Sequence, residues 1–470
     1  CRIADQKYYF NHFHYVELAD CDAGQIEHFV RAWFQAINDH DPETQAEEFL
    51  EQLERRENLP IRELVRTPIL LNLVCSVFKE RSAFPNKRSL LYQSGLEILL
   101  SRWDQARGIK RDQIYSQLPL PQKISLLSQI ATSNFEREKY FFEKMDVLQT
   151  IADFLQELQE TPLDSETLWF NSEAVLKSIE VQHGLLVETA KDIYCFSHLT
   201  FQEYLTARKI CINTNNTVLA KLAAHITDAH WREVILLSVS MLPQTDFLYQ
   251  KMQEEVAQLL RGDQDLQQFL GGIAAKEQQI DSDYDGAAVR AFYFGLIQCH
   301  SFDLAIALDH RFSGNLSEAL TLDLSLLRLL GIALSLTKRP DIKEILNFNF
   351  ALDIEHLLPE DPSLRNNFAT LKQELPDLEI GKAALLSWWQ REGGGWIENF
   401  LNWLETYRHL PVNFSFSSQQ KQLLKRYYEA NCLLMECLQS DGQVQAAVRE
   451  AITAGLLLPD GELVYSGYGI

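Results

Sequence analysis

The chain has 470 residues, of which 46% are apolar and 23% charged, and its formal net charge is −22. With only 20 glycines and 14 prolines, the composition argues against a β-sandwich or a disordered chain and favours a helical protein of about three domains. So negative a surface repels nucleic acid and anionic membranes over most of its area. The best candidate for a basic patch, "KERSAFPNKR" (Lys79–Arg88), is interpreted as a solvated loop.

The pattern of cysteines indicates the cellular compartment of the protein. All eight are scattered and none forms a C-x-x-C pair, which fits buried free thiols in the reducing cytoplasm. Neither a run of 18 apolar residues nor a signal peptide is present, so we expect no membrane span. The chain starts with Cys1 rather than Met, and we expect it to be part of a longer protein.

The first hundred residues change from an α/β pattern to a helical one. Residues 1–20 look like the end of an α/β unit, and Asp22 is expected to cap the helix that follows. From Pro42 to Arg107 the apolar spacing predicts helices, with Pro68 expected to kink one that is buried. The stretch "SQLPLPQK" (116–123) is predicted to be a linker.

A β-hairpin is predicted in the middle of the chain. Leu185–Glu188 and Ile193–Ser197 are short β-rich runs, and "TAKD" between them supplies the turn. Helices, a hairpin and another helix outline a winged helix.

A histidine follows the hairpin directly. Thr200 and Glu203 match a T-x-x-E capping box, which predicts a helix start near Phe201. His198 would then lie beside a helix N-terminus, where free amides favour anions, and a neutral imidazole can donate one N–H to a phosphate. From the residues alone, a histidine that satisfies a strand-end carbonyl is the stronger alternative.

The C-terminal half is predicted to be entirely helical. Beyond Ile210 the pattern indicates stacked helix pairs of an α-solenoid-like array. "REGGGW" (Arg391–Trp396) is expected to be a flexible break, and Ser417 or Ser418 to cap the strong amphipathic helix that follows. The predicted fold class is therefore mainly α: a helical domain, a winged helix with a small hairpin, a helical array, and a short α/β remnant at the N-terminus.

No complete catalytic site can be assembled from the sequence. Gly381-Lys382 is not a P-loop, because Ala383 follows it and Pro376 replaces the first glycine. There is no G-x-S-x-G, no H-E-x-x-H and no zinc-spaced Cys/His quartet. His12 and His14 alternate on an extended segment, but we assign no metal site to them.

One segment carries a family resemblance. "CFSHLTFQEYLTARKI" (Cys195–Ile210) resembles the end of the winged-helix domain in NACHT-family signal-transduction NTPases, which belong to the STAND class of AAA+-like switches. The matching positions are Phe196, His198, Phe201, Gln202, Glu203, Tyr204 and Ala207.

Other segments agree with this resemblance in the same order. "CR" at the start is similar to the end of the sensor-1 strand, and "RTPILLNLVCSVFKE" to a segment of helical domain 1. "HWREVILL" (His230–Leu237) resembles the start of the helical domain after the winged helix. The C-terminal "QKQLLKRYYEANCLLMECLQSDGQVQAAVREAI" resembles the domain that closes some cyanobacterial-type members.

The resemblance implies five domains. Residues 1–22 would be the remnant of the nucleotide-binding domain, 23–117 helical domain 1 and 118–211 the winged helix. Residues 212–300 would form helical domain 2, and 301–470 a C-terminal helical domain of the sensor type.

The resemblance also implies a nucleotide site that residues upstream complete. His198 would contact the β-phosphate of ADP, Pro68 the adenine, and Arg2 would act as the sensor-1 arginine. The cofactors would be ADP or ATP with Mg²⁺. Because Walker A and Walker B are absent, we do not expect this chain to hydrolyse nucleotide alone.

The implied function is a regulated switch in the cytoplasm. ADP would hold a closed monomer joined to upstream nucleotide-binding and effector domains. A protein ligand at the C-terminal helices would promote exchange for ATP and homo-oligomerisation, for example in anti-phage defence, without a membrane or nucleic acid partner. The alternative is a helical scaffold, a protein-interaction module or a winged-helix DNA binder without a nucleotide role.

Overall fold

The computed structural model describes residues 19–37, 41–55, 58–85, 87–106, 118–159, 164–280, 283–299, 301–440 and 442–460. Arg2, His12, His14 and most of the expected α/β remnant lie outside these residues. The described chain is mainly α, as predicted. It divides into two compact units: 1–218, 230–243 and 440–443 form the first, and 219–229, 244–439 and 444–470 the second.

The first unit begins with helices α1 (Ala23–Ala36), α2 (Pro42–Leu53), α3 (Leu59–Leu64), α4 (Pro68–Arg81) and α5 (Arg88–Ala106). Asp22 caps α1 as predicted: its carboxylate accepts the Gln25 N–H at 2.8 Å, and the Gln25 side chain accepts the Asp22 N–H at 3.0 Å. This capping box satisfies two donors that a helix start leaves unpaired. Edge-to-face contacts of Phe34 with Phe49 and Phe78 fill the core beneath these helices.

Pro68 does not kink a helix. It is the first residue of α4, and α3 ends four residues earlier at Leu64. Proline suits this position because its ring fixes a helical φ and the missing N–H would have no partner in the helix. The expected kink is therefore wrong, and Pro68 starts a helix instead.

A winged helix follows, made of α6 (Leu120–Phe135), β1 (Phe142–Glu143), α7 (Lys144–Glu157), α8 (Ser165–His183), β2 (Leu186–Ala190) and β3 (Ile193–Phe196). The hairpin prediction is confirmed, and Asp192 takes the left-handed φ of 59° in its turn. β3 lies between β1 and β2 and runs antiparallel to both. The sequence did not indicate β1, which pairs Phe142 with Tyr194.

The winged helix leads into α9 (Leu199–Ile212), α10 (Asn216–Ala224) and α11 (Arg232–Met241). Within the first unit, α9 packs on α6, α11 and α5. Its buried face carries Phe201, Tyr204 and Leu205, as the sequence pattern suggested. This packing fixes the position of His198, the residue that precedes α9.

His230 anchors the chain just before α11. Its ring stacks on Phe135 with centroids 3.9 Å apart. The Nε2 atom lies 3.1 Å from the Phe135 carbonyl, which can only accept, so Nε2 donates there and Nδ1 accepts the Tyr140 hydroxyl at 2.6 Å. Both ring nitrogens are used in this packing, which gives His230 a structural role.

The second unit contains α12 (Asp246–Gln258), α13 (Gln264–Glu277), α14 (Gly286–Phe294), α15 (Asp303–Leu308), α16 (Glu318–Lys338), α17 (Ile342–Ala351), α18 (Pro362–Gln373), α19 (Lys382–Arg391), α20 (Gly393–Arg408), α21 (Ser418–Gln439) and α22 (Ala446–Gly455). Ser417 caps α21 in a box with Gln420, which confirms one of the two predicted caps. The helices α21 and α22 return to pack against α12, α14 and α15. In a simple solenoid each repeat contacts only its neighbours in the sequence. The second unit has, in addition, these contacts between helices that are far apart in the sequence.

The segment "REGGGW" is helical rather than a flexible break. Gly393 to Gly395 form the first turn of α20, which begins directly after α19. Gly393 is buried against Trp389, and a Cβ added to it would lie 2.8 Å from the indole. The glycine therefore serves close packing between two helices.

Among the described helices, α16 alone is long and apolar enough to cross a membrane by length and composition. Within its apolar window, 44% of the helix is buried by the rest of the protein. The helix also carries Asp323, which is fully buried and ion-paired with Lys276 and Arg408. These ion pairs join α16 to α13 and α20 within the second unit.

Candidate functional site

The site predicted around His198 lies where β3 passes into α9. The chain is still extended at His198, with φ −146° and ψ 141°, and α9 begins at Leu199. The preceding Ser197 N–H donates to the Leu185 carbonyl at 2.8 Å and so continues the hairpin pairing to the edge of the helix. The hairpin and the helix together hold this histidine in place.

His198 is itself the N-cap of α9. Its Nδ1 accepts the backbone N–H of Thr200 at 3.3 Å and lies 2.8 Å from the Thr200 hydroxyl. The predicted capping box of Thr200 and Glu203 is therefore wrong, because Thr200 already lies inside the helix. The imidazole nitrogen takes the role that a Ser, Thr or Asp oxygen usually has.

The hydrogen bonding at Nδ1 fixes the form of the ring. Since Nδ1 accepts, the proton of the neutral imidazole lies on Nε2. Within the described part of the chain, Nε2 makes no hydrogen bond, so it keeps an N–H to donate. The histidine can thus cap the helix and bind an acceptor at the same time.

Burial keeps this imidazole neutral. It lowers the pKa of His198 from 6.5 to about 4, because the charged form loses solvation. A neutral ring at physiological pH donates a hydrogen bond without adding a cation. The first turn of α9 supplies the partial positive charge that favours an anion at this point.

In this chain, α8 corresponds to the helix that winged-helix proteins insert into DNA, and its exposed surface does not suit DNA binding. α8 exposes Glu166, Phe170, Glu173 and Lys177 on one face, and Phe170 is 71% exposed. The Glu173 carboxylate lies 3.0 Å from the Lys144 ammonium group and neutralises this nearby cation. Carboxylates on this face repel a phosphate backbone.

Two family models match the chain. A winged helix-turn-helix domain C-terminal to NACHT matches residues 88–210, and NACHT C-terminal helical domain 2 matches residues 364–459. Both models describe domains that lie C-terminal to a NACHT domain, so the two matches support the downstream region of a NACHT-family protein. No curated protein matches it.

The NACHT winged-helix match includes the whole Cys195–Ile210 segment, with His198 and its other matching positions. It starts at residue 88 and thus takes in α5, which contacts both α9 and α11. Stacking of Tyr92 on Tyr204, with centroids 5.4 Å apart, joins α5 to α9. The five domain boundaries remain predictions.

The described residues do not test the other two expected nucleotide contacts, those of Pro68 and Arg2. Pro68 starts α4, which packs on α1 and α5, whereas His198 precedes α9, which packs on α6 and α11 as well as α5. Arg2 lies outside the described residues. The roles of Pro68 and Arg2 therefore stay predictions.

The described residues also bear on metal binding. Among them, no group of three or more His, Cys, Asp or Glu side chains could hold a metal ion. A phosphate-bound Mg²⁺ needs carboxylate or hydroxyl ligands.

Proposed function

We propose that this NACHT downstream region is the regulatory part of a STAND-class NTPase switch, in which His198 ties the winged helix to bound ADP. The observation that carries the proposal is the N–H left on Nε2 of a partly buried, neutral, helix-capping histidine. A β-phosphate oxygen of ADP is a suitable acceptor for it. The family match supplies the context, since the winged helix follows the NACHT domain.

The remaining parts of the nucleotide site would come from elsewhere. The P-loop, the Walker B carboxylates and the Mg²⁺ ligands would lie in the upstream nucleotide-binding domain, and Arg2 and Pro68 would add contacts. The role of this chain is to orient one donor and to close over the nucleotide. It would not hydrolyse nucleotide by itself.

The chain would switch when a ligand destabilises its closed, ADP-bound state. A protein ligand bound by the C-terminal helices would weaken the closure, and ATP would replace ADP. The opened chain would form homo-oligomers that activate an upstream effector, in a cytoplasmic bacterial defence against phage. A coupling of about 1–3 kcal/mol between the sensor and the nucleotide would be enough to change the populations substantially.

The test compares three histidine variants of the natural protein that contains both this chain and its NACHT domain. His198→Asn keeps a good N-cap but removes the Nε2 donor, and His198→Ala removes both. His28→Ala, exposed on α1, is the matched control. We expect release of a fluorescent ADP analogue to become about ten-fold faster or more in both His198 variants, since a hydrogen bond to a charged acceptor contributes about 1.5–3 kcal/mol.

Urea denaturation of the same proteins separates capping from nucleotide contact. His198→Asn should unfold at nearly the wild-type urea concentration, while His198→Ala should lose about 1 kcal/mol. If His198→Asn released the analogue at the wild-type rate, the ADP contact would be refuted. A protein that retained no ADP in any form would favour the helical scaffold.

A further inference from the structure

A second candidate site lies in the first unit, at the C-terminal half of α9. A groove of about 470 Å³ runs between α9, the start of α5 and the end of α11. Lys87, Leu90 and Gln93 line one side, and Tyr204, Arg208 and Ile212 line the other. This volume falls within the range of sites that hold small molecules.

Arg208 determines the chemistry of the groove. Its Nε atom is buried without a hydrogen-bond partner, and its guanidinium makes no ion pair with a described residue. Gln93, which also lines the groove, donates to Glu97 at 2.9 Å. A partly buried guanidinium without a counter-charge is unfavourable, and an anion would remove that cost.

The groove is cationic although the chain as a whole is acidic. Lys87 lines it together with Arg208, and no Asp or Glu is among the described lining residues. In a chain of net charge −22, a concave surface with two cations and no carboxylate favours an anionic occupant. The planar guanidinium can bind a carboxylate, sulfonate or phosphate through two N–H groups.

The other walls are apolar. Leu90 and Ile212 are 38% and 64% exposed at the groove, and Tyr204 contributes a buried ring. We propose that this groove binds a small organic anion, with its charged group on Arg208 and its apolar body against Leu90, Tyr204 and Ile212. Arg208 lies ten residues beyond His198, about 15 Å along the helix axis, so the groove is separate from the proposed ADP contact.

The test uses two dyes that differ in charge. 1-Anilinonaphthalene-8-sulfonate is an organic anion, and N-phenyl-1-naphthylamine is its counterpart without the sulfonate. Fluorescence titration of the whole chain gives the dissociation constant of each dye for the wild type and for Arg208→Gln. Arg328→Gln, at an exposed arginine of α16, is the matched control.

We expect Arg208→Gln to weaken sulfonate-dye binding by about ten-fold or more, which is the loss of one charge-assisted contact. Arg208→Lys should weaken it less, because the charge remains. The neutral dye should bind all variants alike, and Arg328→Gln should bind both dyes as the wild type does. Sulfonate-dye affinity within about two-fold of wild type in Arg208→Gln, or equal weakening of both dyes, would overturn the proposal.

A second variant covers the case in which Arg208→Gln does not fold. Ile212→Glu changes an exposed side chain at the groove edge, so the core packing stays intact. Its carboxylate would pair with Arg208 and repel an incoming anion. We expect weaker binding of the sulfonate dye and little change for the neutral dye, and unchanged binding of both would again overturn the proposal.

Discussion

At the scale of single residues, His198 caps α9 through one ring nitrogen and leaves the other nitrogen available for the proposed ADP contact. Nδ1 satisfies the first turn of α9 through Thr200, and Nε2 keeps its proton. A Ser or Asp cap would satisfy the helix equally well, but it would not present an N–H in the same direction. The proposed ADP contact would therefore explain why a histidine, rather than a Ser or Asp, caps this helix.

The same burial makes this residue sensitive to pH. The pKa of His198 falls from 6.5 in the unfolded chain to about 4 in the folded chain. Between these two pH values only the unfolded chain binds the proton. The free energy of unfolding is therefore greatest above about pH 6.5 and decreases as the pH falls towards about 4.

We expect the wild type to lose stability relative to His198→Asn when the pH is lowered from about 7.5 to about 5. Urea denaturation of both proteins at the two pH values measures the difference in the free energy of unfolding. A difference that stayed constant between the two pH values would show that His198 does not titrate as its burial requires.

The position of His198 could be predicted from the sequence, but its bonding could not. A β-rich run followed by a helical pattern placed the residue at the junction of strand and helix. The T-x-x-E motif then predicted the wrong N-cap residue. The motif includes only the side chains that commonly cap helices, and histidine is not one of them. Which atom satisfies the Thr200 N–H depends on how the hairpin delivers the chain to α9.

At the scale of elements, the start of α20 shows how a glycine-rich segment can be helical. Gly393 is buried beneath Trp389 and Thr337, where a Cβ would lie 2.8 Å from the indole and 3.2 Å from the threonine methyl. Gly394 and Gly395 are exposed, and a Cβ on either would have no atom within 4 Å outside its own helix turn. Close packing thus requires a glycine at position 393 but not at positions 394 and 395.

Alanine substitutions in this turn should have opposite signs. Gly394→Ala and Gly395→Ala should each stabilise the chain by about 0.5 kcal/mol, because alanine loses less backbone entropy in a helix. Gly393→Ala should destabilise it by about 1–3 kcal/mol through overpacking against Trp389. Urea denaturation followed by tryptophan fluorescence measures all three, and stabilisation by Gly393→Ala would contradict the packing.

Elements defined by local signals could be predicted, and those defined by distant partners could not. The hairpin and the caps Asp22 and Ser417 depend on residues within a few positions, so the sequence displays them. β1 has two residues and exists because Phe142 pairs with Tyr194. The prediction of a flexible break at Gly393 was wrong for the same reason in part, since Thr337, one of the two side chains that pack on this glycine, is distant in the sequence.

At the scale of the whole molecule, apolar periodicity was enough to predict a mainly α chain. Periodicity does not show how the helices of a unit are joined, and in the second unit a charged cluster does this. Asp323 of α16 is fully buried, 2.9 Å from Lys276 of α13 and 2.7 Å from Arg408 of α20, and the Tyr293 hydroxyl of α14 donates to it at 2.7 Å. One carboxylate therefore connects four helices.

The balance of charge in this cluster predicts unequal effects of its members. Asp323→Asn leaves two buried cations without a counter-charge and should cost about 3–5 kcal/mol. Lys276→Met should cost only about 1–2 kcal/mol, because Arg408 still neutralises Asp323 and burial already lowers the pKa of Lys276. Urea denaturation of the two variants tests the order. Equal losses would mean that the cluster acts through packing volume alone, whereas a larger loss for Asp323→Asn assigns the connection between these helices to its charge.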